Sequence, residues 1–198
     1  PIDAENLEGM ARQIVRHGGD AAGLARQAAF GFAHSLLDST PQSRQESQPL
    51  SDDDTWIVGD VRLDARDELL AALEQAGQRA HSELPDIDLV LKAWGAWGEN
   101  CLQCLLGDFA FAVWNEPAQT LFCARDHFGV KPFYFSLDKS CFVFSNDLDA
   151  VRSQPFVSDE LNEAAVPHVN SIDEADAVAK RIVELRVPTE NSERVAER

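Results

Sequence analysis

With 198 residues, 44% of them hydrophobic, the chain is long enough for one globular domain with a real core, or for a domain and a tail. Its formal net charge of −17, from 34 acidic and 17 basic residues without a basic cluster, excludes nucleic acid and an anionic membrane surface as expected partners. No apolar run approaches the roughly 20 residues that span a bilayer, and the first residues lack the pattern of a signal peptide, so a soluble, cytoplasmic protein is expected.

The chain opens on Pro1 and its only methionine, Met10, falls inside the first predicted helix, so further residues are expected upstream. That helix covers 3–16, with Leu7, Met10, Ala11, Ile14 and Val15 at helical spacing, and His17-Gly18-Gly19-Asp20 stops it. Residues 28–37 read as a strand, 39–54 as a loop rich in Ser, Gln, Pro and Asp, and 55–63 as a second strand. Asp64 is expected to cap a helix over 65–76 that Gly77 ends. A third helix spans 85–97, with Pro85, Asp86 and Asp88 at its entrance and Leu89, Val90, Ala93, Trp94 and Trp97 on one face.

The stretch 106–135 is the aromatic centre of the sequence. It holds six of the eleven phenylalanines, one of the four tryptophans and the only tyrosine, too much aromatic area to leave in water. Apolar runs over 109–114, 120–123 and 132–135 are separated by Asn115-Glu116-Pro117 and by 126–131, and are expected to form consecutive antiparallel strands joined by tight turns. A strand over 141–145 and a helical turn over 148–151 follow. From 158 on the chain is charged and alanine-rich, with one helix expected over 172–185, so we expect a domain over 1–157 and an acidic, partly helical tail over 158–198.

Cys101 and Cys104 form a C-x-x-C, but Cys123 and Cys141 lie singly in separate apolar strands, so buried reduced thiols are expected rather than a metal site. His34, Ser35 and Asp38 do not make a triad, because neighbours on a strand point to opposite faces. Asp52-Asp53-Asp54 reads as a solvated loop tip rather than a cation site. Arg125, Asp126, Gly129 and Lys131 flank a turn and are expected to form a salt-bridged structural corner.

Several segments together resemble the class II glutamine amidotransferase domain of asparagine-synthetase-like proteins, the lasso-peptide cyclase branch included. They are Val15-Arg16-His17-Gly18-Gly19-Asp20, residues 61–69, residues 86–99, Leu106-Gly107-Asp108-Phe109-Ala110-Phe111-Ala112-Val113-Trp114 and Ala124-Arg125-Asp126-His127-Phe128-Gly129-Val130-Lys131-Pro132. The resemblance implies an α+β N-terminal-nucleophile hydrolase fold, a four-layer αββα sandwich of antiparallel sheets between helices, with its first strand missing from this chain.

In active members of that family an N-terminal cysteine attacks the glutamine amide. Its α-amine is the base, an Asn side chain and a Gly N–H hold the oxyanion, an Arg grips the carboxylate and acidic groups hold the ammonium. No cysteine precedes Cys101 here. By resemblance Ser35 falls at the Arg position, Asp60, Val61 and Arg62 replace the Asn-Gly-Glu triplet, and Asp86 alone matches a substrate-binding position. A hydroxyl cannot replace a guanidinium fork, and an ionised Asp60 would repel the oxyanion. Val61 is expected to obstruct close backbone approach, and Arg62 inverts a charge. A degenerate glutamine site with a structural or interdomain role is therefore expected, with no cofactor, beside an ATP-dependent synthetase domain or subunit. The pyrophosphate loop of that second domain, Ser-Gly-Gly-x-Asp-Ser, does not occur before Arg198. The alternative is a glutamine-hydrolysing domain that supplies ammonia to such a synthetase, its N-terminal cysteine lost by truncation.

Overall fold

Alternation of side chains along two long strands sets the architecture. In β4 (Thr55–Leu63) and β5 (Gly107–Asn115), paired antiparallel with Ile57 opposite Val113 and Val58 opposite Ala112, successive side chains enter different cores. Ile57, Phe109, Phe111 and Val113 join one core; Val58, Ala112 and Trp114 join the other. These assignments come from a computed structural model that describes residues 2–16, 18–38, 40–138 and 141–158. The tail from 159 on, with its expected helix over 172–185, lies outside the described residues.

Around β4 and β5 the remaining elements are α1 (Ala4–Val15), β1 (Ala21–Arg26), β2 (Gly31–Leu36), β3 (Leu50–Asp52), α2 (Arg66–Gln75), α3 (Asp86–Trp97), β6 (Thr120–Arg125), β7 (Tyr134–Leu137), β8 (Phe142–Ser145) and α4 (Leu148–Arg152). One sheet has the order β3-β4-β5-β6; β1-β2 and β7-β8 form two further two-stranded ribbons. Helices α2 and α3 cover one face of the four-stranded sheet, where Leu69, Leu73, Ile87, Leu89 and Val90 pack on Phe111, Phe122 and Ala124. On the other face the ribbons bring Phe30, Phe32, Phe133, Phe142 and Phe144 against Val58, Trp114 and Cys123, and α1 and α4 lie beyond them against β2 and β8. The order is therefore helix, sheet, sheet, helix, an α+β sandwich whose second sheet layer is two separate ribbons. Phe111, at 1% exposure, sits in the α3-side core, where truncation of such a ring to Ala costs about 3–5 kcal/mol.

Local chemistry explains most boundaries. Asp3 caps α1 by accepting the Glu5 N–H at 2.9 Å, and Asp147 caps α4 by accepting that of Asp149 at 2.9 Å. Pro85 precedes α3 as predicted, and the β5–β6 turn is closed by the Asn115 side chain, which accepts the Ala118 N–H at 2.8 Å.

Several expectations are corrected. Asp64 does not cap α2, because its carboxylate pairs with Arg62. The 39–54 loop contains β3, and Ala21–Arg26 is a strand that its alanine-rich, mostly exposed sequence did not announce. β1 passes so close to the Gln48 carbonyl that a Cβ on Gly23 would lie 1.8 Å from that oxygen, which explains the glycine. The aromatic stretch is not one run of paired strands: β5 pairs with β6, whereas the 126–131 corner carries the chain into the other sheet layer, where β7 pairs with β8. Cys101 and Cys123 are buried as expected, but Cys104 is exposed.

Candidate functional site

A cleft of about 1020 Å³ opens between the two ribbons. β2 and β8 form its walls, α1 contributes Leu7, Met10 and Ile14, and the inner face of β4 contributes Val58, Asp60 and Arg62. The end of the 126–131 corner, Lys131, reaches into it. Among the described residues β2 pairs only with β1 and β8 only with β7, so each turns an unpaired edge toward the cleft.

Asp60 shares the inner face of β4 with Val58, and its carboxylate Oδ1 lies 2.7 Å from the Lys131 ammonium. Lys131 therefore does not belong to a salt-bridged corner. Asp126 holds that corner by other means. Its Oδ1 accepts the N–H groups of Phe128 at 3.1 Å and Val130 at 3.0 Å, and its Oδ2 those of Phe109 at 3.3 Å and Lys131 at 3.1 Å. Burial alone would push the Asp126 carboxyl up, but these backbone N–H groups together bring it below its ordinary value. Gly129 takes φ +63 at the turn, against the Arg125 guanidinium.

The other positions inferred from the resemblance are occupied from within the domain. Arg62 pairs with Asp64 and, at 2.8 Å, with Asp108 across the strand pair. Asp86, the first residue of α3, accepts the Leu63 N–H at 2.9 Å, and its other oxygen forms an ion pair with Arg66. Arg66 also donates to the carbonyls of Ser82 at 2.9 Å and Leu84 at 2.7 Å. Ser35 sits on β2 against the Gly18-Gly19 turn, where a Cβ on Gly19 would lie 2.2 Å from its hydroxyl. Val61 is among the residues that line the cleft, and its side chain is partly buried against the α3-side core.

Sequence reading missed the roles of two cleft groups, His34 and Glu46, and of Gln48 beside them. His34, on the opposite face of β2 from Ser35, lies against Gly59 and Asp60; burial holds its imidazole below the ordinary pKa, opposed by the Asp60 charge and the Gly59 backbone. The Gln48 amide accepts the Gly59 N–H at 2.7 Å and donates to the Gly59 carbonyl at 2.8 Å, continuing the edge of β4 with a side chain where β3 ends. Glu46, bonded to Gln48 at 2.6 Å, is raised by burial and, beyond the opposing bond from Gln48, by the charges of Asp88 and Asp60. Only the Gln-rich character of 42–48 hinted at such a role, and it read equally as loop composition. Asp38 is turned away, accepting from the Ser43 hydroxyl at 3.0 Å, and no triad forms with His34. No cysteine lines the cleft among the described residues: burial pushes the Cys101 thiol up to about 12 and also raises Cys123.

The cleft is thus a partly apolar slot with a neutral imidazole and charges that already have partners. It can hold a chain segment or a small molecule but, from the described residues alone, presents no activated nucleophile.

Comparison with known proteins agrees with this architecture. The family described as Glutamine amidotransferase domain matches residues 2–191. Asparagine synthetase [glutamine-hydrolyzing] 3 of Bacillus subtilis (strain 168) is 25% identical over 170 residues, covering 84% of this chain and 28% of its own. Asparagine synthetase [glutamine-hydrolyzing] 1 of the same organism is 31% identical over 157 residues, covering 73% of this chain and 24% of its own. The solved glutamine phosphoribosylpyrophosphate amidotransferase of B. subtilis, complexed with ADP and GMP, aligns with a TM-score of 0.55 at 18% identity over 75% of this chain and 40% of that one, which supports the fold alone. The chain spans only about a quarter of the length of these curated relatives, 28% of one and 24% of the other. With a family match across nearly its whole length, the chain belongs to the glutamine amidotransferase domain family.

Proposed function

We propose that this amidotransferase-type domain no longer hydrolyses glutamine and serves in the cytoplasm as a structural partner to an ATP-dependent synthetase domain or subunit. One observation carries the reading: the charged groups at the positions expected to meet the substrate are taken up internally, Asp60 by Lys131, Arg62 by Asp64 and Asp108, and Asp86 by Arg66. A glutamine ammonium would have to displace Arg66 from Asp86, and an oxyanion near β4 would meet a carboxylate where a donor is needed. Ser35, packed on the Gly19 turn, offers its carboxylate no cation.

The test is ammonia release from glutamine by the parent protein, together with calorimetric titration of glutamine. Neither turnover nor binding heat is expected. Turnover that disappears when an N-terminal cysteine is replaced would defeat the reading.

The unpaired edges of β2 and β8 favour a second reading, in which a strand preceding Pro1 lies between them and carries the nucleophile of an ammonia-supplying glutaminase. A Met-Cys-Gly start in the parent gene supports that reading, and a start without it removes it.

A further inference from the structure

Five of the ten exposed large hydrophobic residues among those described fall within 128–137: Phe128 at 87% exposure, Val130 at 54%, Tyr134 at 40%, Phe135 at 42% and Leu137 at 48%. They are not on a loose loop. The Asp126 carboxylate clamps the backbone N–H groups of Phe128, Val130 and Lys131, so Phe128 and Val130 are held outward in a fixed geometry that association need not order again. Arg125, at the end of the edge strand β6, joins the corner to β7. Gly129 lies against its guanidinium, and Arg125 shares with Cys123, Ala124, Phe133 and Phe135 a groove of about 120 Å³. Among the described residues no carboxylate lies within ion-pair distance of Arg125. Exposed aromatics around an unpaired arginine are the composition of an interface centre rather than of a free surface.

We infer that the face formed by Phe128, Val130, Arg125, Phe135 and Leu137 docks the synthetase part of an asparagine-synthetase-type assembly, with Arg125 meeting a carboxylate of that partner. The inference rests on the partner proposed above and names the surface it uses. The occupant is argued from length: the matched region is 28% and 24% of the two Bacillus relatives, so the larger part of each relative lies outside it and supplies a surface for this face to pack against. In a chain of net charge −17, the Arg-Asp-His-Phe-Gly-Val-Lys corner is also a place where an acidic partner surface is not repelled.

To test it, each synthetase polypeptide of the source organism that carries a Ser-Gly-Gly-x-Asp-Ser loop is purified and titrated with the full chain. At least one is expected to bind, Phe128→Asp and Arg125→Glu are expected to weaken that binding by more than about tenfold, and Leu24→Asp on β1 by less than about twofold. Phe128 is exposed, so folding should survive its replacement; thermal melts check this, and Val130→Asp substitutes if it does not. Undiminished binding by Phe128→Asp and Arg125→Glu overturns the surface while leaving the partner reading intact; binding to none of the polypeptides overturns both. Self-association of the chain that Phe128→Asp abolishes assigns the face to a second copy. Deprotection of 126–137 in hydrogen exchange on deleting 159–198 assigns it to the chain's own tail. Either of these outcomes also overturns the inference.

Discussion

Asp126→Ala should be the most destabilising polar substitution in the domain, because one carboxylate satisfies four backbone N–H groups at a place where the chain changes sheet layers. Asp126 is 4% exposed and accepts from Phe109, Phe128, Val130 and Lys131. A hydrogen bond to a charged group contributes about 1.5–3 kcal/mol, and a donor stranded in the interior costs about 1–3. The Phe109 bond is fully interior; the other three are partly open to solvent, where water takes over some of the loss. The sum for Ala is therefore about 3–5 kcal/mol. Asp126→Asn keeps one acceptor oxygen for one pair of N–H groups and turns an amide NH2 toward the other pair, for a loss of about 2–3 kcal/mol. Because the native carboxyl titrates below its ordinary 3.8, its contribution is complete above that value and is lost as pH falls through the lower native value, so the difference between wild type and Asn should hold constant above about pH 5 and shrink in acid. Urea denaturation followed by tryptophan fluorescence measures each difference. A loss below about 1 kcal/mol for Ala at neutral pH would refute the clamp.

His34 is held below its ordinary pKa, so the unfolded chain binds more protons as pH falls through the unfolded value of about 6.5, and stability should decline on acidification. Glu46 and Asp88, both raised mainly by burial, act in the opposite sense at lower pH, so the His34 effect is read as the difference in pH slope between wild type and His34→Gln in urea denaturation. Equal slopes between about pH 5.5 and 7.5 would show that the imidazole is not desolvated. Arg66→Ala leaves the Asp86 carboxylate mostly buried without its cation and should cost about 3 kcal/mol, whereas Arg62→Ala, which removes solvent-exposed pairs, should cost markedly less, both read from denaturant midpoints. In labelling with an aromatic disulfide reagent at neutral pH, exposed Cys104 should react first, while buried Cys101, with its thiol pushed up to about 12, and buried Cys123 should stay protected until the domain unfolds.

Elements with a clear apolar pattern and flanking turn or cap residues were legible in the chain. β4 was expected over 55–63 and spans Thr55–Leu63, and α3 was expected from Pro85 and begins at Asp86, because their apolar periods and flanking residues agree. β1 was not legible: Ala-Ala-Gly-Leu-Ala-Arg buries almost nothing and is held by pairing with β2 and by packing on the Gln48 backbone. The role of Lys131 was hidden for a different reason. Its place in a turn motif suggested a local partner, but the corner folds over the cleft and delivers the ammonium to β4. Local pattern encodes which face is buried; it does not encode which distant charge arrives at the other face.

The partners of Asp60, Arg62 and Asp86 bear on what a single substitution in the cleft could do. Asp60, Arg62 and Asp86 each have a counterion, and the Lys131 ammonium is within 2.7 Å of Asp60 although its backbone N–H belongs to the Asp126 clamp. Because these pairs are made within the domain, an amide at position 60 alone should not give glutamine binding. Asp60→Asn leaves Lys131 without its carboxylate and the His34 imidazole beside an amide instead of an anion. With Asp60 40% exposed, solvent screening limits the loss to about 1 kcal/mol, and a double-mutant cycle with Lys131→Met isolates it. The imidazole pKa should fall further, since the Asp60 charge now raises it, and an NMR titration of the ring protons reads that shift directly. Glutamine should still give no binding heat. Measurable binding by Asp60→Asn alone would mean that Ser35, Arg62 and the Arg66–Asp86 pair do not block the site, and that a single residue had silenced an otherwise intact pocket.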